Sequence, residues 1–439
     1  MTGIETARAV AEEAAKIGGR AYYVGGCVRD FLRGVDAPDL DVEVYGVAPE
    51  TLAEILAPFG ALKTEGQKFG VYSLETPTVD FALPRTETRV GEKHASFTVT
   101  VDPSLSIAEA AKRRDFTVNA VLRDVLSGQI VDPYNGRADL AKKVLRAVCV
   151  DHFAEDPLRV LRGAQFAARL GCKLDEDTAA LCRTMDLSAL SPARVEAELK
   201  KALLEADRPS VFFEVLRATG HLQEWFAELL PLIGLAQNPV YHPEGDVFTH
   251  TMECLDRAAL VRGESIDPYK FMLLALTHDL GKAETTEKID GVIHAYGHEN
   301  VVRPALDMVA RFCRRDDVQK YLADMIPLHM RPGALAAANS AQKATNKMFD
   351  AALSPTDLIL FAAVDSPRME AHIPFLRARY ETYKEVMARP CVRGDDLLAA
   401  GLSGARMKEW LAYAHKLRLA GVDKAAALAQ TIAYAKKNP

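Results

Sequence analysis

At 439 residues the chain is long enough for roughly three domains, and its 49% apolar residues can fill sizeable cores. Its 26% charged residues and formal net charge of −6 fit a soluble protein and exclude an overall cationic surface, so any nucleic-acid contact must come from local basic patches. The acid-bearing start "MTGIETARAVAEEAAK" does not read as a signal peptide, and no apolar run reaches membrane-span length. Seven scattered cysteines without a C-x-x-C pair read as a reduced, cytoplasmic protein without structural zinc–thiolate sites.

Residues from about 20 to 145 mix short β-type runs ("AYYVGG", "LDVEVYG", "VYSLET", "TVDFAL", "FTVTVD", "GQIVDP") with turns. From 146 onward, Ala, Leu, Arg and Glu recur at helical spacing. The expected architecture is an α/β head followed by a helical remainder, with further boundaries at "PVYHP" (239–243) and "ARPCVRGDD" (388–396). In the head, "AYYV" reads as a strand, Gly25-Gly26 as a tight turn and Cys27 to Arg33 as a helix closed by Gly34. Such a turn lets a ligand approach the backbone, and the helix start offers N–H groups to an anion within reach of Arg29. Asp39, Asp41 and Glu43 then alternate with Leu40, Val42 and Val44, which puts the acids on one strand face. Clustered carboxylates repel one another unless a cation lies between them, and Mg²⁺ takes carboxylates together with substrate phosphates. A phosphate cradle beside paired carboxylates is the layout of a metal-dependent phosphoryl or nucleotidyl transferase. No G-x-x-x-x-G-K-[ST] occurs, so a P-loop enzyme is not supported.

The stretch "VGGCVRDFLRG…PDLDVEVYG" resembles the first motif of the tRNA nucleotidyltransferase and bacterial poly(A) polymerase family, which belongs to the DNA-polymerase-beta-like nucleotidyltransferases. "KRRDFTVNAV" (112–121), "VDPYNGRADL" (131–140), "EDPLRVLRGAQFAARLG" (155–171) and "LSPARVEAELKKAL" (190–203) resemble its later motifs, in order. The resemblance implies an α+β fold: a head with a small mixed sheet (1–145), an all-α neck and body (146–238), then further helical parts. It implies that Gly25, Gly26 and Arg29 hold the triphosphate, and that Asp39 and Asp41 hold Mg²⁺. Arg114, Asp115 and Asn119 would contact phosphates and sugar. Asp156 and Arg159, with Arg162 one turn on, would read the Watson–Crick edge of CTP or ATP; an i,i+3 ion pair is the plainer account of that spacing. Gln165 departs from relatives that carry another Arg there. Glu43 and Asp80 read as surface acidity.

Downstream, "VYHPEGDVFTHTMECL" (240–255), "LLALTHDLGK" (273–282), "HAYGHEN" (294–300), "PLHMRP" (327–332) and "FAAVDSP" (361–367) resemble the HD phosphohydrolases. The matching metal residues are His250, His278, Asp279 and Asp365, with His298 and His329 where two-metal members have further ligands; His242 and His294 read as incidental. Imidazole and carboxylate donors suit Ni²⁺, Mn²⁺, Co²⁺ or Fe²⁺. The HD domain would span 239–388. The tail (389–439) resembles the family's closing glycine-bearing segment, and with Lys408, Lys416 and Arg418 it reads as either an RNA-contacting patch or a packed helical hairpin.

These resemblances imply an enzyme that adds C, C and A to tRNA 3′ ends and carries a metal-dependent phosphohydrolase, acting as monomer or homodimer without a membrane. The segment 84–115 looks like the long flexible connector of CTP-using members. A poly(A) polymerase or a CC-only adder with a structural HD domain is the alternative, and an RNA-binding scaffold with an inactive head is the non-enzymatic one.

Overall fold

The computed structural model describes residues 2–36, 39–61, 70–74, 79–89 and 97–438. The chain divides into two compact units: Met1–Ala202 with Val211–Glu224, and Leu203–Ser210 with Trp225–Pro439.

The first unit opens with helix α1 (Gly3–Lys16), started by a capping box between Thr2 and Glu5. Strands β1 (Arg20–Val24), β2 (Leu40–Tyr45), β3 (Val71–Ser73) and β4 (Val79–Ala82) follow, with α2 (Gly26–Leu32) after β1 and α3 (Pro49–Leu56) after β2. Then come β5 (Arg85–Arg89), β6 (Phe97–Val101), β7 (Leu122–Asp124) and β8 (Ile130–Val131). Six of these strands form a mixed sheet in the order β3-β4-β2-β1-β7-β8, in which only β2 and β4 run parallel. The alternation in β2 sends Val42 and Val44 into a core with Ala7, Val10 and Ala14 of α1 and Leu52 and Leu56 of α3. The opposite face, with Asp41 and Glu43, is left for the site.

The segment expected as a flexible connector is partly ordered as a ribbon. β5 pairs antiparallel with β6 in a register running from Arg85↔Val101 to Arg89↔Phe97, and helix Ile107–Ala111 follows. The sequences "RTETR" and "FTVTV" both carry Thr at alternate positions, so each suits a paired strand. Residues 90–96 lie outside the described residues. Helices α4 (Leu158–Leu170) and α5 (Pro192–Glu205) carry the neck motifs. The motif at 131–140 is scaffolding: Asp132 accepts hydrogen bonds from the backbone N–H groups of Gly136 (2.8 Å) and Arg137 (3.0 Å), and Thr117 donates to Asp139 (2.7 Å). A Cβ on Gly136 would lie 2.0 Å from the Thr117 carbonyl oxygen, so only glycine lets these segments meet.

The second unit is helical, with α6 (Val247–Val261), α7 (Pro268–Thr277), α8 (Arg303–Phe312), α9 (Asp316–Met325) and α10 (Pro355–Asp365) around its centre. α7 is buried on all sides from Phe271 to Thr277, as an all-apolar helix requires. Asp246, Asp267 and Ser354 cap α6, α7 and α10 with side-chain acceptors. The helical remainder is not purely helical. Glu287–Ile289 pairs with Val292–His294 in a hairpin whose Asp290-Gly291 turn has φ of 49° and 84°, the backbone that an Asp-Gly two-residue turn supplies. In the first unit, Val144–Leu145 also pairs with Lys173–Leu174.

The tail is a packed helical hairpin. Met407–Leu419 and Lys424–Lys437 close around Leu397, Trp410 and Ala435, and the Tyr413 and Tyr434 rings stack 4.2 Å apart. Arg418 donates to the Met387 and Arg389 carbonyls. Among the described residues no helix is long and apolar enough to cross a membrane.

Candidate active site and candidate metal centre

A cleft of about 540 Å³ in the first unit gathers the sequence-predicted residues Gly25, Gly26, Arg29, Asp41, Arg114, Asp115, Asn119, Asp156, Arg159 and Arg162. Eight cationic side chains line it against three carboxylates, so an acidic chain carries a locally cationic site. At the turn Gly25 has φ of 72°, and a Cβ there would lie 3.3 Å from Arg114 Nη1 and 3.7 Å from Asp41 Oδ2. The missing side chain keeps space between a cation and the acids. Asp41 pairs with Asp80 across the parallel β2–β4 register. Much of the Asp41 residue is open to solvent, yet the surrounding protein raises its pKa, helped by the charges of Asp80 and Asp39 and opposed by Arg114. These acids do not close on one point: among the described residues, no three acids of the head bring their oxygens within 4.8 Å of one another. Hard oxygen donors crowding one another's charge, with room between them for phosphate oxygens, fit a divalent cation such as Mg²⁺.

The cationic side chains are held by an alternating chain of partners. Arg29 is buried, donates to both oxygens of Asp30 (3.0 and 2.7 Å) and to Asn119 Oδ1 (2.9 Å). Asn119 donates to Asp115 (2.9 Å), Asp115 accepts from Arg162 (2.7 Å), and Arg162 lies 3.8 Å from Glu198, which pairs with Lys201 (2.9 Å). Burial would raise the Asp115 pKa, but Arg162 and the Asn119 hydrogen bond outweigh it and hold the carboxylate below its ordinary range. Arg29, Asp115 and Asn119 are thus largely occupied with one another, whereas Arg114 faces the glycine turn. Glu43 is not surface acidity. It is 1% exposed, accepts from Arg113 (2.7 Å) and from the Tyr45 hydroxyl (2.7 Å), and lies 3.7 Å from Arg114. Its strand face is the predicted one, but arginines of the 112–121 motif cover it.

Asp156 lies just ahead of α4, not on the helix face it was expected to share with Arg159; it caps Leu158 N (3.1 Å) and pairs with Arg194 of α5 (2.7 Å). Arg159 donates to the carbonyls of His152 and Arg113 (2.5 Å each). Gln165 is buried and accepts from Arg169 (3.2 Å), so a cation still reaches the cleft wall one turn beyond the departure from the family pattern.

In the second unit, five separate segments converge. His250 Nε2 lies 3.1 Å from Asp365 Oδ1 and 3.6 Å from Asp279 Oδ2, and His278 Nε2 lies 3.4 and 3.3 Å from the same two oxygens. The other Asp279 oxygen is 3.3 Å from His298 Nε2 and 3.9 Å from His329 Nε2. Asp279 therefore straddles two groups of donors. Every histidine is aimed by its Nδ1: Glu244 holds His250 (2.6 Å), and the carbonyls of Ala275, Ala295 and Ile326 hold His278, His298 and His329 (3.1, 2.7 and 2.6 Å). His278 Nε2 and Asp279 Oδ2 are buried without a hydrogen-bond partner, since their mutual approach and that of Lys282 Nζ to Asp279 (2.7 Å) are poorly aligned. Burial lowers the His278 pKa, yet the neighbouring Asp279 carboxylate more than reverses this; burial, followed by the charge of His278, pushes His329 down to about 4. Orphaned donors of imidazole and carboxylate type, aimed at shared points, fit transition-metal ions. Beside them opens a cavity of about 1140 Å³ whose wall includes Arg257, Lys282 and Arg368. His242 (3.0 Å from Glu244) and His294, stacked on Tyr296, also line it.

Residues 21–146 match the Poly A polymerase head domain family. A multifunctional CCA protein of Alkalilimnicola ehrlichii is 34% identical over 89% of this chain and 94% of its own length. The chain belongs to the multifunctional CCA protein family. Another member, from Methylobacillus flagellatus, is 39% identical over 71% of this chain and 73% of its own. The solved Thermotoga maritima CCA-adding enzyme complexed with tRNA shares the fold, with a TM-score of 0.64 and 19% identity over 98% of this chain and 95% of that one.

In this family member Asp80, read as surface acidity, is exposed but stands beside Asp41, while Arg113, Arg169, Arg194, Glu198, Lys201, Glu244 and Cys254 carry no role in the sequence motifs as read. Arg194, Glu198 and Lys201 fall at i, i+4 and i+7, one charged stripe on α5 that helical periodicity could have revealed. Cys254 sits four residues after His250, hence on the same face of α6. Asp80 and Glu244 carry no local signal, because pairing register and loop path decide what they meet.

Proposed function

We propose that the protein adds C, C and A to the 3′ end of tRNA from CTP and ATP at the cleft of the first unit. The observation that carries this is the open glycine turn facing Asp41 in a cleft lined by eight cations. The names of the relatives support it. The Gly25–Gly26 turn and Arg114 receive the triphosphate; Arg29, Asn119, Asp115 and Arg162 keep the cations in place. Asp39 and Asp41, with Asp80 beside them, hold Mg²⁺, which supplies charge neutralisation at the α-phosphate and favours the ionised 3′-hydroxyl. Asp156, Arg159 and Arg194 present hydrogen-bonding groups to the base, Asp as acceptor and Arg as a planar donor. The test is incubation with tRNA lacking its 3′ end and each nucleotide alone or together. CTP alone should give two additions, and ATP should complete the end only after them; open-ended A addition or arrest after C would favour the poly(A) or CC-only alternatives.

A second activity is favoured by the buried histidine–aspartate cluster. In this reading His250, His278, Asp279, Asp365, His298 and His329 hold Ni²⁺, Mn²⁺, Co²⁺ or Fe²⁺, which lowers the pKa of bound water and polarises phosphate. Lys282, Arg257 and Arg368 face the same cavity and orient a phosphoester, of the 2′,3′-cyclic or terminal phosphate kind. Absence of hydrolysis of either kind with all four metals would leave the cluster a structural role.

A further inference from the structure

We propose that Cys254 supplies a sulfur ligand to the His250, His278 and Asp365 half of the metal centre, so that this half takes a thiophilic divalent ion such as Zn²⁺ or Co²⁺ in preference to Mn²⁺. The inference rests on the metal-centre reading above and goes beyond its His–Asp donor set.

The Cys254 sulfur, the His250 and His278 nitrogens and an Asp365 oxygen all lie within 4.8 Å of one another. Cys254 is fully buried, with Sγ 3.3 Å from His250 Nε2. Arg257 Nη2 donates to the sulfur at 3.1 Å while its Nε donates to the Val364 carbonyl at 2.7 Å, which fixes the guanidinium beside Asp365. A buried cysteine kept only as a small apolar filler is packed among carbons; this one is met by a guanidinium and by the donor atoms of the cluster. The second observation is His278 Nε2, buried without a hydrogen-bond partner and aimed at the same space. One turn of α6 separates His250 from Cys254, so the helix presents both to one point. Two imidazoles, a carboxylate and a thiolate form a set that borderline-soft ions favour, whereas Mn²⁺ prefers oxygen donors.

The test uses the full-length chain, stripped of metal and titrated with Co²⁺. Wild type should show visible ligand-field bands together with a near-ultraviolet sulfur-to-cobalt charge-transfer band. Cys254→Ser and Cys254→Val should keep the first and lose the second, and Zn²⁺ affinity should fall on the order of tenfold or more, as happens even when a ligand's outer partner is lost, with Mn²⁺ affinity little changed. Zn²⁺ should also protect Cys254 of wild type from alkylation, read by peptide mass spectrometry. Co²⁺ bound with no sulfur band and no alkylation protection overturns the cysteine assignment alone. A protein that binds no Co²⁺ at all overturns the metal centre and this ligand together. The wild-type spectrum needs no variant, so a folding defect in either substitution does not decide the matter.

Discussion

Asp80 stands opposite Asp41 across the parallel pairing of β2 and β4. Desolvation by the surrounding protein, and next the charge of Asp80, raise the pKa of Asp41 although part of the residue stays open to solvent. Asp80→Asn should therefore ease the ionisation of Asp41 while removing one cation donor. Nucleotide addition should persist at high Mg²⁺, with a metal requirement raised on the order of ten- to a hundredfold. Asp41→Ala should abolish addition of both C and A at any Mg²⁺. A Mg²⁺ dependence unchanged in the Asp80 variant would exclude that residue from the site.

Glu43 is locked between Arg113 and Tyr45, and its loss leaves two poorly exposed arginines without their carboxylate. Glu43→Gln should destabilise the first unit by roughly 3–5 kcal/mol, the cost of breaking one side of a buried pair, read as a lowered melting temperature in calorimetry. Burial pushes the Glu43 pKa up, but Arg114 and Arg113 outweigh it and the net shift is downward. The stabilisation is therefore complete above the ordinary glutamate pKa of about 4.3 and is lost as the pH falls below it through the folded value. Wild type should lose stability over that acidic window, and the difference between wild type and Glu43→Gln should shrink there.

Arg194 already pairs with Asp156 at 2.7 Å, so in the proposed reading an incoming base must compete with it. Asp156→Ala or Arg159→Ala should relax selection, admitting UTP or GTP or raising the requirement for CTP and ATP by roughly ten- to a hundredfold, the equivalent of about 1–3 kcal/mol for an unpaired partner. Arg194→Ala should change nucleotide choice more than total rate. Identical nucleotide ratios in all three variants would reduce this group to structural pairing.

Asp279 offers one oxygen to His250 and His278 and the other to His298 and His329. Asp279→Ala should release metal from both halves, whereas His329→Ala should release it from one; elemental analysis of the purified variants measures this. His278→Ala and Asp279→Ala should abolish phosphoester hydrolysis yet retain CCA addition, and Asp41→Ala should do the reverse. Parallel loss of both activities in any of them would show that the two chemistries are not separate.

Many of the residues that gather in the cleft and in the buried cluster are legible because their signals are local. A glycine pair between strand and helix, acids at period two and a His-Asp dipeptide each survive without knowledge of the fold. Glu43 was misread because alternation gives a strand face and says nothing of what covers it; Arg113, seventy positions on, decides its burial. Only half of the β5–β6 ribbon is legible: "FTVTVD" reads as a β-type run, but "RTETR" has too few apolar residues to register as its partner, and the Asp290-Gly291 hairpin is hidden because it interrupts a helical region. Cys254 was passed over because a single cysteine in a helix has no pattern until His250, four residues earlier, is known to be a donor.

The run of partners from Arg29 through Asn119, Asp115 and Arg162 to Glu198 and Lys201 crosses the point where the matched head family ends, at residue 146. Recombination between relatives at that seam would separate Asp115 from the arginine it orients. A chimera joining one member's head to another's neck should keep this charged lattice only where both parents carry the same charges along it. Nucleotide-selection traits should transfer between family members only when residues on both sides of the seam travel together.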